Sequence, residues 1–117
     1  MNELQVASLE IQITEWHKND IVSLNDHVPE DGWVSPFHPV LKPSTHPNKP
    51  PTIRWCSDMR SLNNHTKPLI INHPAIQDNL LLLTGSKYFS SLDLSQAYFH
   101  IQIADYSLKY MYQAGPN

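Results

Sequence analysis

The amino-acid sequence predicts an α+β fold, and three observations predict it. Apolar residues recur at steps of three and four near the N-terminus, at Val6, Leu9, Ile13 and Trp16. Two strand-like runs, 39–42 and 52–57, flank a proline-rich stretch and read as a hairpin. A second helical stretch opening near Pro74 leads into an alternating run over 87–94 that carries a single carboxylate, Asp93.

In order along the chain, the first helix is expected over 4–17 and ends at Asn19-Asp20. Residues 21–24 (Ile-Val-Ser-Leu) form a short strand candidate. Residues 25–38 read as a loop punctuated by Pro29, Gly32 and Pro36. The hairpin follows, with a stiff tip at 43–51 too rich in proline to pair internally. Asn72 and Pro74 open the next helix because proline is tolerated in a first turn. Ile76, Leu80 and Leu83 share a face of that helix, and Gly85 is a natural stop. The alternating run 87–94 is expected to be a strand, 95–99 a tight helical turn, and 109–113 the start of another strand.

Composition narrows the functional classes. At 117 residues the chain is one domain or part of one, able to bury only a modest core. The formal charge of −3 supplies no general nucleic-acid footprint, so any such role must rest on a local site. Cys56 is the one cysteine, which excludes an intrachain disulfide and leads us to expect an intracellular setting. The N-terminus lacks a basic-then-apolar leader pattern, and the leucines at 80–83 are far too few to cross a bilayer, so no membrane partner is expected. The seven histidines and Cys56 show no CxxC, HxxxH or HExxH spacing, so zinc is not expected.

The chemistry concentrates around Asp93. A hard oxygen ligand at the end of a strand, followed by small and polar residues and then the Tyr98 ring, suits a magnesium-and-nucleotide site. The run Tyr88-Phe89-Ser90-Ser91-Leu92-Asp93-Leu94, with Tyr98 beyond it, resembles motif A of the reverse transcriptases of retroviruses and gypsy-type LTR retrotransposons. Ile53-Arg54-Trp55-Cys56-Ser57-Asp58-Met59-Arg60-Ser61-Leu62-Asn63 is similar to the fingers signature of the same enzymes. Val34-Ser35-Pro36 leading into Pro39-Val40-Leu41-Lys42 is similar to the strand that precedes that signature. The three occur in the family's order and together cover about residues 4–113.

The resemblance implies fingers over 1–73 and the beginning of the palm, with motif A, over 74–117. It implies truncation before the second half of the palm, with the remainder of the pol polyprotein missing. It further implies RNA-directed DNA synthesis from dNTP on a primer–template, with Mg2+ in the complete enzyme. By this likeness Asp93 is the catalytic carboxylate and a metal ligand, with the Leu94 carbonyl beside it. Arg54, Gln96, Ala97, Tyr98 and Lys42 fall where the family contacts the nucleotide, Tyr98 as the ring that excludes a 2′-hydroxyl. Asp58 and Arg60 fall near the template. Arginine suits a phosphate contact because its planar fork donates two hydrogen bonds at once.

Two features depart from the pattern. Lys42 is followed by Pro43 rather than by further lysines, and no Asp-Asp pair occurs anywhere in the chain. Two-metal catalysis needs at least two bridging carboxylates, so the chain alone is expected to be inactive. The competing expectation is a co-opted retroelement remnant that serves as a non-catalytic binding module.

Overall fold

The first helix forms because both of its ends are satisfied. In the computed structural model, which describes residues 1–44, 46–49 and 51–116, α1 spans Glu3–Lys18. The Asn2 side chain accepts from the Gln5 amide at 2.8 Å, and the Gln5 side chain accepts from the Asn2 amide at 3.1 Å. This reciprocal box meets two of the donors that a helix start leaves open. At the other end Asn19 caps the helix, and Asp20 turns into the left-handed region at φ 56°. The reversal brings the Ile21 amide to the Trp16 carbonyl at 2.9 Å. Residues 21–24 therefore fold back on the helix end and make no strand, contrary to the alternation-based expectation.

The hairpin is present and longer than expected. Strand β1 runs Val34–Lys42 and β2 runs Thr52–Ser57, antiparallel, with Pro39 opposite Trp55 and Lys42 opposite Thr52. The strand thus claims residues 34–38, which the prolines and glycine of the sequence suggest as loop. Thr45 and Pro50 of the expected stiff tip lie outside the described residues. A third strand, β3, Tyr112–Ala114, pairs parallel with Val34, Ser35 and Pro36, giving the order β2-β1-β3.

A middle strand containing Pro36 and Pro39 needs a reason, since proline donates nothing to a ladder. The neighbours divide β1 between them: β3 takes 34–36 and β2 takes 37–42. Pro36 turns its carbonyl toward the β2 side, where the Asp58 amide donates to it at 2.9 Å just past the ladder's end. Backbone groups alternate sides along a strand, so Pro39 directs its missing donor the other way, where β3 does not reach.

The remaining elements are short. Helix α2 is Arg60–Asn63 and α3 is Ile76–Leu81. Helix α3 is shorter than expected at both ends and stops at Leu81, before Leu83, so Gly85, at φ 83°, closes a following run of turns and not the helix itself. Ala97–His100 is a 3-10 helix, matching the tight turn expected at 95–99. Asp105–Tyr110 is a second 3-10 helix, so the strand expected from 109 begins only at Tyr112. Residues 87–94 do not form a strand. Their alternation is real, but a strand needs a neighbour to pair with, and every pairing among the described residues involves β1.

The chain thus contains a small mixed α/β arrangement with a three-stranded sheet. It divides into two units, Met1–Thr66 with Gln102–Asn117, and Lys67–Ile101. In the first unit the odd-numbered face of the hairpin meets α1. The Trp55 indole donates to Ser8 Oγ at 3.2 Å, and Trp16 packs on Phe37 with ring centroids 5.9 Å apart. Leu9 and Trp55 are the buried hydrophobic residues of the described chain, joined by Ser35. In the second unit every residue is exposed.

Gly32 marks a close approach in the first unit. A Cβ there would lie 2.8 Å from Val28 Cγ1, 2.9 Å from the Pro29 carbonyl oxygen and 3.2 Å from that of Lys109. The same Lys109 carbonyl accepts from the Trp33 amide at 2.8 Å, and the Lys109 ammonium pairs with Asp31. That pairing holds the Asp31 carboxyl below its ordinary range. Trp33 also stacks, tilted, on His65 with centroids 5.0 Å apart.

Three substitutions should separate these contributions by chemical denaturation. Leu9→Ala is expected to cost about 2–5 kcal/mol, the usual range for emptying a buried leucine site. Gly32→Ala should cost about 1–3 kcal/mol, because two of the three blocking atoms are backbone and cannot rotate away. Ser35→Ala should be neutral or stabilising, since the buried Ser35 hydroxyl has no hydrogen-bond partner.

Candidate functional site

The hairpin register decides which side chains share a surface. Residues directly opposite in a ladder lie on the same face, so His38 with Cys56, Val40 with Arg54, and Lys42 with Thr52 form one face. This is the face away from α1, and it is open: His38, Lys42 and Arg54 are all exposed. The sequence-predicted nucleotide contacts Arg54 and Lys42 thus stand one ladder step apart diagonally, two cations on an otherwise weakly charged surface. Among the described residues neither forms an ion pair, so both charges can meet a ligand anion.

Asp58 and Arg60 are brought together directly. Arg60 Nε donates to Asp58 Oδ1 at 2.8 Å and Arg60 NH2 to Asp58 Oδ2 at 2.6 Å, a bidentate fork. The Arg60 amide adds a third bond to Oδ1 at 3.2 Å. The Arg60 fork, then its backbone amide, holds the Asp58 carboxyl down at about 2, with a smaller contribution from His38. The Arg60 side chain is 88% exposed, but its charge is already matched by Asp58. The pair occupies the turn between β2 and α2, and Met59 between them accepts from Gln113 Nε2 at 3.8 Å.

The motif A residues lie in the second unit. Asp93 and Leu94 sit in the unpaired run, both exposed. Among the described residues no three acidic, cysteine or histidine side chains converge to hold a metal ion. Gln96 adopts the left-handed region (φ 50°, ψ 51°), a conformation with a real cost for a residue bearing a Cβ. It starts the 3-10 helix that contains Ala97 and Tyr98, and the Phe99 amide donates to its carbonyl at 2.9 Å. The Tyr98 ring is 90% exposed. His100 contacts the Ser95 carbonyl at 3.0 Å and closes this turn.

Sequence reasoning passed over His38 with the other histidines. Its position opposite Cys56, bearing on Asp58, follows only from the pairing register, which the chain does not display before the strands are aligned.

No helix among the described residues is long and apolar enough to cross a membrane. The chain is 39% identical over 57 residues, 49% of its length, to the Transposon Tf2-3, Tf2-4 and Tf2-5 polyproteins of Schizosaccharomyces pombe. The match spans 4% of the length of these relatives. No family model matches, and no solved structure matches. The likeness supports an origin in a transposon polyprotein.

Acid titration offers a direct check on the Asp58–Arg60 fork. A carboxyl whose folded pKa is depressed stabilises the fold fully above its ordinary value of 3.8 and loses that contribution as pH falls toward about 2. Carbon-detected NMR of the Asp58 side chain is expected to give a midpoint near 2, and Arg60→Gln should return it toward 3.8. A wild-type midpoint near 3.8 would mean the fork does not persist in solution.

Proposed function

We propose that this chain is the fingers and first palm segment of a reverse transcriptase carried in a retrotransposon pol polyprotein. Its own contribution is to present Arg54 and Lys42 to phosphate and Tyr98 to the sugar of an incoming deoxynucleotide. The observation that carries this reading is the hairpin face. The fingers signature falls on β2 in a register that leaves the Arg54 guanidinium unpaired beside Lys42, which a phosphate contact requires. The likeness to transposon polyproteins supports the retrotransposon origin.

The proposal assigns no catalytic step to the chain alone. One carboxylate cannot hold two divalent ions, and the sequence has no Asp-Asp pair to join Asp93. What these residues can do is bind and orient. Arg54 and Lys42 neutralise phosphate charge, Asp93 offers a single oxygen ligand, and the Tyr98 ring takes up volume that a 2′-hydroxyl would need. The competing reading is a retroelement remnant kept as a non-catalytic binding module.

The isolated chain is expected to incorporate no deoxynucleotide on poly(rA)–oligo(dT). Incorporation above background that Asp93→Ala abolishes would overturn this. Fused to the remaining palm of a related enzyme, Asp93→Asn should reduce synthesis to background while template affinity, set by phosphate contacts elsewhere, stays nearly intact. Tyr98→Val in the same fusion should keep activity and admit ribonucleotides. Unchanged ribonucleotide rejection together with an active Asp93→Asn enzyme would favour the binding-module reading.

A further inference from the structure

The open face of the hairpin carries a third nitrogen group besides Arg54 and Lys42. Arg54 stands opposite Val40, and His38 and Lys42 lie two residues to either side of Val40 on the same face. The guanidinium is therefore the middle of a row, with an imidazole at one end and an ammonium at the other. All three residues are exposed, and among the described residues none of them forms an ion pair. Thr52, opposite Lys42, adds a hydroxyl at the ammonium end.

The spacing says what kind of anion such a row fits. Four steps of extended strand set His38 and Lys42 about 13 Å apart along the backbone. One phosphate group is too small to meet both ends at once. A chain of linked phosphates presents a line of anionic oxygens and can meet all three cations, with Arg54 midway.

Only one member of the row changes charge near neutrality. Arginine and lysine stay cationic there, whereas imidazoles titrate at about pH 6.5. On β2, Cys56 faces His38 directly and Arg54 faces it diagonally, with Asp58 just past the ladder's end. The Asp58 charge is matched by the Arg60 fork, so a protonated His38 keeps charge to spare. From β3, Tyr112 and Ala114 stand opposite Val34 and Pro36, neither charged near neutrality, and α1 packs on the other face. Building on the phosphate reading of Arg54 and Lys42, we propose that His38 is a third phosphate-binding residue of this face. The hairpin then takes a polyphosphate chain, such as that of a nucleoside triphosphate, more tightly in weak acid than in weak base.

Amide NMR titration of the full 117-residue chain with inorganic tripolyphosphate, free of metal ions, measures the affinity at about pH 5.5 and about pH 8, on either side of imidazole titration. The ligand's own titration acts equally on every variant, so ratios between variants isolate the side chain. His38→Gln is expected to bind about three- to tenfold more weakly than wild type in the acid buffer and equally well in the basic one. His38→Lys, cationic in both, should bind more tightly than wild type in the basic buffer by a similar factor. Arg54→Gln should weaken binding in both. If Arg54→Gln weakens binding and His38→Gln changes nothing, the His38 assignment is overturned and the phosphate reading stands. If neither variant changes the affinity, both are overturned. Equal weakening by His38→Gln in the two buffers would also overturn the assignment, since it would report packing and not charge.

Discussion

The first unit depends on strand β1 and on how it divides its two edges. Nine residues with two prolines would ordinarily be confined to a sheet margin. Here the strand stays central because β2 and β3 take different halves of it. The division joins residues far apart in sequence, with Val34 opposite Tyr112 and Phe37 opposite Ser57. It also aims the odd-numbered face at α1, where Trp55 meets Ser8 and Phe37 meets Trp16. With Leu9 and Trp55 as the buried hydrophobic residues, apolar burial alone contributes only a few kcal/mol, at roughly 1.5–3 kcal/mol per side chain. The ladder, the Gly32 close approach and the Lys109–Asp31 pair hold together what this small core does not.

The second unit shows the opposite balance. Its apolar residues are numerous, yet none is buried. Ordering a residue costs about 1–2 kcal/mol of backbone entropy, and exposed side chains return nothing against that cost. A segment of this kind belongs at the low end of local stability, where opening is easy and partners decide the structure. Local signals still act there: Gly85 closes the turns that follow α3, and the Gln96 turn begins a 3-10 helix. Capping and turn chemistry operate within a few residues, whereas strand formation waits on a neighbour.

That distinction also explains what the sequence disclosed. Helix α1 was legible almost to its ends because its periodicity and the Asn19-Asp20 stop are local, while the Asn2 cap emerged only in the structure. The hairpin was legible because its strands are adjacent in the chain, although the prolines hid the part of β1 that pairs with β3. Residues 21–24 and 87–94 look like strands in isolation and are not, because alternation reports a surface preference and cannot report pairing. At the candidate site, the sequence singled out Arg54, Lys42 and Asp93 as expectations. The fork that occupies Arg60, the place of His38 and the bareness of Tyr98 were not legible there, since each depends on register or burial.

Electrostatics decides which of the expected phosphate contacts have charge to spare. A chain of net charge −3 cannot attract nucleic acid by its overall field, so a few cations must act locally. Arg60 looks suitable by exposure alone, but its guanidinium already makes two hydrogen bonds to Asp58, which a turn toward phosphate would give up. Lys109 is likewise engaged with Asp31. Among the described residues Arg54 and Lys42 have no such partner, and they share one open face. If the hairpin meets a phosphate, these two residues bear the contact, joined by His38 where it is protonated, and Arg60 serves instead to fix the turn that joins β2 to α2.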